Sequence, residues 1–202
     1  MKPVVVVSKC LGFGHCRYDG GIVEDPLVRK LRDAVEFRPV CPEMEIGLGV
    51  PRDPILVVRT GRGFRLIQPA TGLDLTSAMR TFVARFRRET STVHGFILKS
   101  RSPSCAVRDA TVHTTTGRRI TTCQRPGSFA AAVIERLPRV PMVDEDDIAD
   151  RRAARRFLTR VRLCAAGRPC TTAGRGTRAA SVRLARAGSS RRGGSGRCPT
   201  AR

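Results

Sequence analysis

Apolar runs in the first half of the chain predict strands that are separated by polar loops. Residues 4–7 are four consecutive valines, the pattern of a strand that is buried on both faces. Shorter apolar runs follow at 37–40 and 96–98. Between the first two runs, Asp25-Pro26 supplies a helix N-cap and a first-turn proline, and apolar residues then recur at helical spacing as far as Val35. The order strand, helix, strand predicts a βαβ unit with parallel strands.

The pattern beyond residue 50 predicts further strands and helices. Residues 54–59 and 64–68 flank a Gly-Arg-Gly turn and predict a hairpin, and a helix with an apolar face is predicted after Thr76. The polar stretch 107–126 predicts a loop or weak strands. Ser128 can cap another helix, and a last helix starts at about Asp144, with acids at its beginning and arginines at its end. Together these elements predict a three-layer, Rossmann-like α/β domain with a short, mainly parallel sheet.

The charge is concentrated at the end of the chain. The formal net charge is +21, but residues 1–150 carry only +6, and 15 arginines follow the last acid, Asp150. From Cys164 onward the composition loses its acids and aromatic residues, which predicts a disordered Arg/Gly/Ala-rich tail at 163–202 behind a domain at 1–162. The tail has two interpretations, a phosphate contact for RNA or DNA, or an out-of-frame product of GC-rich DNA, of which we favour the second. If the tail contacts phosphates, the alternative function is a nucleic-acid-binding protein whose cysteines are structural.

No apolar run approaches the roughly 18 residues that would span a bilayer, and the first residues do not form a secretory signal. We therefore expect a cytoplasmic protein that does not bind membranes. In that compartment the eight cysteines are expected to be thiols or metal ligands rather than disulfides.

Each of the three apolar runs at 4–7, 37–40 and 96–98 is followed within a few residues by a cysteine. These are Cys10, Cys41 and Cys105. Because parallel strands end at one edge of a sheet, the three thiols are expected to meet there. They lack the C-x-x-C pairing of zinc ribbons and redox sites. Three thiolates can hold three irons of a [4Fe–4S] cluster and leave the fourth iron open. The alternative is three buried cysteines that act as small apolar residues.

Six segments of the chain resemble the TudS/YbbK/YbgA family, also called domain of unknown function 523, in both order and spacing. They are VSKCLG at 7–12, CRYDG at 16–20, VCPE at 40–43, GLGVPR at 47–52, TGLDLT at 71–76 and ILKSRSPSC at 97–105. The resemblance covers about residues 3–162. A second domain found in longer, YbgA-like members is missing here, which fits a truncated or frame-shifted product. The family usually has glycine after the third cysteine, where this chain has Ala106.

The resemblance implies an enzyme that removes sulfur from a thiolated pyrimidine such as 2-thiouracil, or from a related thioamide, without net redox chemistry. It assigns Cys10, Cys41 and Cys105 as ligands of a [4Fe–4S] cluster whose open iron takes the sulfur. A small-molecule thiolated nucleobase is then the expected partner. Glu43, two residues after a ligand, is the candidate acid/base that activates a water. Its alternative role is capping a helix or pairing with an arginine.

Further polar residues near the cysteines are candidates for contact with the cluster or the substrate. Lys99 and Ser100 are candidate catalytic residues, whereas Asp19, Ser102 and Ser104 are candidate substrate-binding residues. The alternatives are an ordinary polar turn for the serines and a turn with Gly20-Gly21 for Asp19. A further cysteine, Cys16, is either a spare ligand or a buried thiol, and we favour the buried thiol.

Overall fold

The structure, a computed structural model, describes residues 1–90 and 92–168. Within these residues the chain forms strands that pair into two sheets, with helices packed against them. The strands are β1 (Val4–Ser8), β2 (Glu36–Val40), β3 (Leu56–Thr60), β4 (Gly63–Gln68), β5 (Leu73–Asp74), β6 (Gly95–Leu98), β7 (Ala110–His113), β8 (Arg119–Arg125) and β9 (Met142–Asp144). The α-helices are α1 (Pro26–Lys30), α2 (Pro42–Glu45), α3 (Thr76–Glu89), α4 (Ser128–Arg136), α5 (Glu145–Ala149) and α6 (Arg151–Ala165).

The first sheet has the strand order β2-β1-β6-β9, and all of its pairings are parallel. The βαβ unit that leads from β1 to β2 is therefore confirmed. The chain adds β2 on one side of β1 and β6 on the other, so the direction of winding reverses between β1 and β6. Open α/β sheets place their ligands at such a reversal, outside the carboxyl ends of the strands.

The valines of β1 explain why this strand lies at the centre of the fold. Val6 packs into one apolar cluster with Phe82 of α3 and Phe129 of α4, while Val5 and Val7 pack into a second cluster on the other face. The three valines are fully buried. An unbroken β-branched run thus has an apolar partner on each face of the sheet, as predicted.

The second sheet is mixed and has the order β5-β4-β3-β7-β8. The predicted hairpin is present as the antiparallel pair β3 and β4. The polar stretch 107–126 contributes β7 and β8, which extend this sheet. The α/β class with a parallel sheet is confirmed, but the sequence did not predict that a second sheet packs beside the first.

Two predicted helices differ from the observed ones. The helix predicted as far as Val35 ends at Lys30 and tightens into a 3-10 turn at Leu31–Asp33 before β2. The last helix is two helices, because Asp150 has an extended backbone and its side chain accepts the N–H of Ala153, which starts α6. The helix α6 continues to Ala165, past the predicted start of the tail, and residues 169–202 of that tail lie outside the described residues.

Two other findings bear on the sequence predictions. Cys123 and Cys164 are disulfide-bonded, so the expectation that the cysteines are thiols or metal ligands is wrong for these two. In the part of the chain that the structure describes, no helix is long and apolar enough to cross a membrane.

Candidate functional site

A cavity of about 520 Å³ opens at the carboxyl edge of the parallel sheet, where β1, β2 and β6 end. Four cysteines line it: Cys10 after β1, Cys16 in the following loop, Cys41 after β2 and Cys105 in the loop after β6. All four are free thiols. The prediction that Cys10, Cys41 and Cys105 meet at one edge of the sheet therefore agrees with their observed positions, and Cys16 lies with them.

The thiols interact with one another and are partly or fully buried. Hydrogen bonding with Cys10 raises the pKa of Cys16 to about 11. Hydrogen bonding with Cys16, together with burial, raises the pKa of Cys41 above its ordinary range, and the Cys41 thiol also points at the carbonyl of Cys16, 3.7 Å away. Burial raises the pKa of Cys105, although a hydrogen bond with Ser8 opposes that rise. Binding of a soft metal centre here would have to displace thiol protons.

The loop that carries Cys105 is fixed by hydrogen bonds to the hydroxyl of its own Ser102 and by hydrogen bonds from helix α4. The hydroxyl of Ser102 accepts the backbone N–H groups of Ser104 (3.2 Å) and Cys105 (3.0 Å). The N–H of Phe129 in α4 donates to the carbonyl of Ser104 at 3.0 Å. Gly127 makes this approach possible, because a Cβ atom there would lie 2.5 Å from the carbonyl carbon of Ser104.

Ala106 fits the site without backbone strain. Among the described non-glycine residues, Arg101 alone has a positive φ, at 59°, so Ala106 does not occupy the left-handed region that favours glycine. Its methyl group is fully buried in the apolar cluster that includes Phe129. Alanine in place of the usual glycine is therefore compatible with this loop.

Glu43 lies in the cavity wall on the short helix α2, which begins immediately after Cys41. Its Oε2 atom accepts two hydrogen bonds from Arg52, at 3.0 Å from Nε and 2.5 Å from Nη2, and its Oε1 atom accepts the hydroxyl of Ser104 at 3.0 Å. Arg52 also donates to the carbonyl of Cys16 at 2.9 Å. The pairing with an arginine that was the alternative role of Glu43 is thus present, and one guanidinium connects this carboxylate to a cysteine loop.

Lys99 and Ser100 line the cavity at the end of β6 and are held by the first residue of α5. Glu145, directly after β9, accepts the backbone N–H of Ser100 at 2.8 Å and its hydroxyl at 2.7 Å, and it forms an ion pair with Lys99. The backbone N–H of Lys99 donates to the hydroxyl of Ser8 at 2.9 Å, which joins the ends of β1 and β6.

The candidate substrate-binding residues are placed differently from one another. Ser102 lines the cavity. Ser104 is completely buried behind it and contacts Glu43. The Asp19 carboxylate pairs with Arg17 at 3.2 Å and accepts the N–H of Gly21 at 2.9 Å, which is the turn that was its alternative role.

Three residues of the site were not singled out from the sequence: Ser8, Arg52 and Glu145. Ser8 ends the first apolar run, and a polar residue at the carboxyl end of a buried strand can be used to identify a site. Arg52 is the last residue of the GLGVPR segment at 47–52, and the sequence indicated no role for it. Glu145 follows a strand of only three residues, which gives too weak a pattern to be recognised.

Fold and site together define a mixed α/β domain whose parallel strands deliver thiols, a carboxylate and a lysine to one cavity. The model of the 2-thiouracil desulfurase family matches residues 5–145, and the chain belongs to this family. It is 29% identical over 154 residues to the uncharacterized protein YbbK of Bacillus subtilis (strain 168), an alignment that covers 73% of this chain and 99% of that protein. Its fold is similar to that of the [4Fe-4S]-dependent thiouracil desulfidase TudS, with a TM-score of 0.52 and 23% identity over 73% of this chain and 94% of the other.

Proposed function

We propose that this chain is an iron–sulfur-dependent desulfidase that replaces the sulfur of a thiolated pyrimidine, or of a related thioamide, by oxygen without net redox chemistry. The observation that carries the proposal is the convergence of Cys10, Cys41 and Cys105 on one cavity beside Glu43 and Lys99. Membership of the 2-thiouracil desulfurase family supports the substrate class. The similarity of its fold to the [4Fe-4S]-dependent desulfidase TudS supports the cofactor.

The chemistry of the donor set suits an iron–sulfur cluster. A cubane cluster bonds its ligands at separate corners, and four thiols line this cavity. Soft thiolates are also the ligands that iron–sulfur clusters use. We assign Cys10, Cys41 and Cys105 to hold the cluster, which when bound supplies an iron with an open position as a Lewis acid for sulfur.

The overall reaction takes a thiocarbonyl and one water to a carbonyl and hydrogen sulfide, so no electrons are gained or lost. In this proposal Glu43 takes a proton from that water. The hydrogen bonds support this role, because Oε2 is held by Arg52, whereas Oε1 accepts only the Ser104 hydroxyl and keeps a lone pair. Lys99 supplies a fixed positive charge to the cavity wall, which stabilises negative charge that develops on the substrate during attack.

The test is anaerobic incubation of the cluster-loaded protein with 2-thiouracil, followed by quantification of uracil and sulfide. We expect the two products in equal amounts with no reductant or oxidant consumed. Glu43→Gln should lower kcat by about 10²- to 10⁴-fold, the usual contribution of a general acid or base. The matched control is Glu45→Gln on the same helix, an exposed residue that pairs with Arg85, and it should have no effect. A fully loaded protein that releases no sulfide from any thiolated pyrimidine would overturn the proposal.

The nucleic-acid alternative depends on the tail, of which residues 169–202 lie outside the described part of the chain. A chain that ends at Arg168 separates the two functions. Desulfuration should be unchanged, because every residue of the site lies between Ser8 and Glu145. The alternative instead requires RNA or DNA binding that weakens steeply with salt and is lost in the shortened chain.

A further inference from the structure

Glu145 is a buried carboxylate whose partners include two consecutive residues of the cavity wall. Its side chain is 8% exposed and lies at the start of α5, directly after the edge strand β9. Because β9 pairs in parallel with β6, with Leu98 opposite Asp144, the residue after each strand lies beside the other. The register of the sheet thus places Glu145 next to Lys99 and Ser100.

The hydrogen bonds fix where the protons of this group lie. The Lys99 ammonium can only donate, and it donates to the hydroxyl oxygen of Ser100 at 3.1 Å and to its carbonyl at 3.3 Å, as well as to Glu145. The Ser100 hydroxyl therefore accepts from Lys99 and gives its own proton to Oε1 of Glu145, 2.7 Å away. Oε2 of Glu145 accepts the backbone N–H of Ser100 at 2.8 Å.

This arrangement has a consequence for the cavity. All three ammonium protons of Lys99 are engaged, so Lys99 presents a fixed positive charge rather than a mobile donor. The Ser100 oxygen keeps one lone pair, since its proton is turned towards Glu145. A carboxylate removed from water is costly unless it is paired and hydrogen-bonded, and here Lys99 and Ser100 provide that pairing.

We propose that Glu145 is a positioning residue of the desulfuration reaction, which holds the Lys99 ammonium and the Ser100 hydroxyl in the orientation that the cavity requires. The proposal rests on the desulfidase function proposed above. Glu145 acts through Lys99 and Ser100 and does not itself line the cavity.

A glutamine at this position cannot reproduce the carboxylate. Both oxygens of the Glu145 carboxylate accept hydrogen bonds. Oε1 accepts from Lys99 and from the Ser100 hydroxyl, and Oε2 accepts from the Ser100 N–H. The amide offers one acceptor and one donor, so its NH₂ group must face a donor in either orientation. Glu145→Asp keeps the charge but shortens the reach by one methylene group, which should allow partial function.

The experiment compares Glu145→Gln and Glu145→Asp with Asp146→Asn, all loaded with iron and sulfide. Asp146 is the next residue of the same helix, is largely exposed, and loses the same charge in its variant. We expect Glu145→Gln to lower kcat by about 10- to 100-fold at unchanged iron content, as loss of an outer hydrogen-bond partner does in metal sites. Glu145→Asp should recover part of that loss, and Asp146→Asn should match the wild type.

A second readout does not depend on activity. The chain has four lysines, and Lys2 and Lys30 are exposed references for the rate at which an amine-reactive reagent labels Lys99, followed by mass spectrometry of peptides. Relative to those references, Lys99 should be labelled about tenfold faster in Glu145→Gln, because the partly buried ammonium loses its ion-pair partner. Asp146→Asn should leave the rate unchanged.

The outcomes separate the two proposals. Unchanged Lys99 labelling in Glu145→Gln, or wild-type kcat in a loaded Glu145→Gln or Glu145→Asp protein, would overturn the positioning role. If Glu145→Gln does not fold, the kcat of Glu145→Asp, in which the ion pair is retained, tests the positioning role. Altered labelling in a protein whose wild type desulfurates nothing would support the positioning of Lys99 while refuting the desulfidase function.

Discussion

At the scale of single residues, the short helix α2 carries one glutamate in a buried ion pair and one in an exposed ion pair. The side chains of Glu43 and Arg52 are 12% and 6% exposed, whereas those of Glu45 and Arg85 are both 44% exposed. A pair that is removed from water depends on both partners, because a single charge left behind is uncompensated. An exposed pair contributes little, because water solvates either charge alone.

Replacement of Arg52 by methionine should therefore destabilise the protein strongly. We expect a loss of about 3–5 kcal/mol in the free energy of unfolding, since Glu43 would remain buried without its partner. The control Arg85→Met should cost less than about 1 kcal/mol. Denaturant unfolding of both variants measures the difference, and equal effects of the two substitutions would contradict the importance assigned to the buried pair.

The sequence identifies some site residues better than others for a physical reason. Cys10 and Cys41 lie within two residues of the ends of β1 and β2, so the strand pattern alone locates them at the sheet edge. The roles of Arg52 and Glu145 come from contacts with residues 9 and 45 positions away in the chain. The Arg52 contact depends on how its loop folds back onto α2, and the Glu145 contacts depend on how β9 pairs with β6, and no local pattern contains either.

At the scale of elements, helix α4 fixes the loop of the third cysteine, and Gly127 permits the contact. Gly127→Ala should push the start of α4 away from Ser104 and Cys105, because the new Cβ atom would lie within 3 Å of both backbones. We expect a lower iron content after reconstitution and reduced stability. Gly61→Ala in the β3–β4 turn is the control, since no atom lies within 4 Å of its Cβ position. Full iron loading of Gly127→Ala would show that the loop does not need this close approach.

The N-cap residue of α5 is Asp144, and loss of its proton destabilises the folded state. Burial raises the pKa of Asp144 to about 6, although Arg108 pairs with it at 3.0 Å. The folded state then binds a proton that the unfolded chain has already released, so this residue lowers the stability as pH rises from about 4 to about 6. Asn at this position keeps the oxygen that accepts the N–H of Asp147 and removes the titration.

The stability of Asp144→Asn relative to the wild type should therefore increase between pH 4 and pH 7, by up to about 3 kcal/mol. Urea unfolding at several pH values measures this trend. Asp150, which caps α6, provides a control of opposite sign. A hydrogen bond from the N–H of Ala153 lowers its pKa, so Asp150→Asn should lose stability relative to the wild type as pH rises. A flat or falling difference for Asp144→Asn would contradict the raised pKa.

Short elements account for most of what the sequence did not reveal at this scale. The strand β9 has three residues, too few for a recognisable period, yet it brings Glu145 to the site. The break between α5 and α6 depends on the extended backbone of Asp150, within a stretch whose charges fit one continuous helix. Longer elements such as α3, with its apolar face, were predicted from their period alone.

At the scale of the whole molecule, the order of strands explains how distant residues reach one cavity. Cys10, Cys41 and Cys105 are separated by 30 and more positions in the chain, and the parallel sheet places the ends of β1, β2 and β6 side by side. The pattern of strands and helices predicted this mainly parallel fold, beginning with its first βαβ unit. The sequence pattern did not predict the second sheet, because β7 and β8 come from a polar stretch whose strand partners are set by packing.

The central claim is that the sheet edge gathers three cysteines to hold one cluster, and metal analysis of cysteine variants tests it most directly. After anaerobic reconstitution with iron and sulfide, the wild type should contain about four irons and four sulfides per chain. Cys10→Ser, Cys41→Ser and Cys105→Ser should each lose this cluster, while Cys16→Ser, in the same cavity, should retain it. A wild type that binds no iron, or serine variants that keep a complete cluster, would contradict the account.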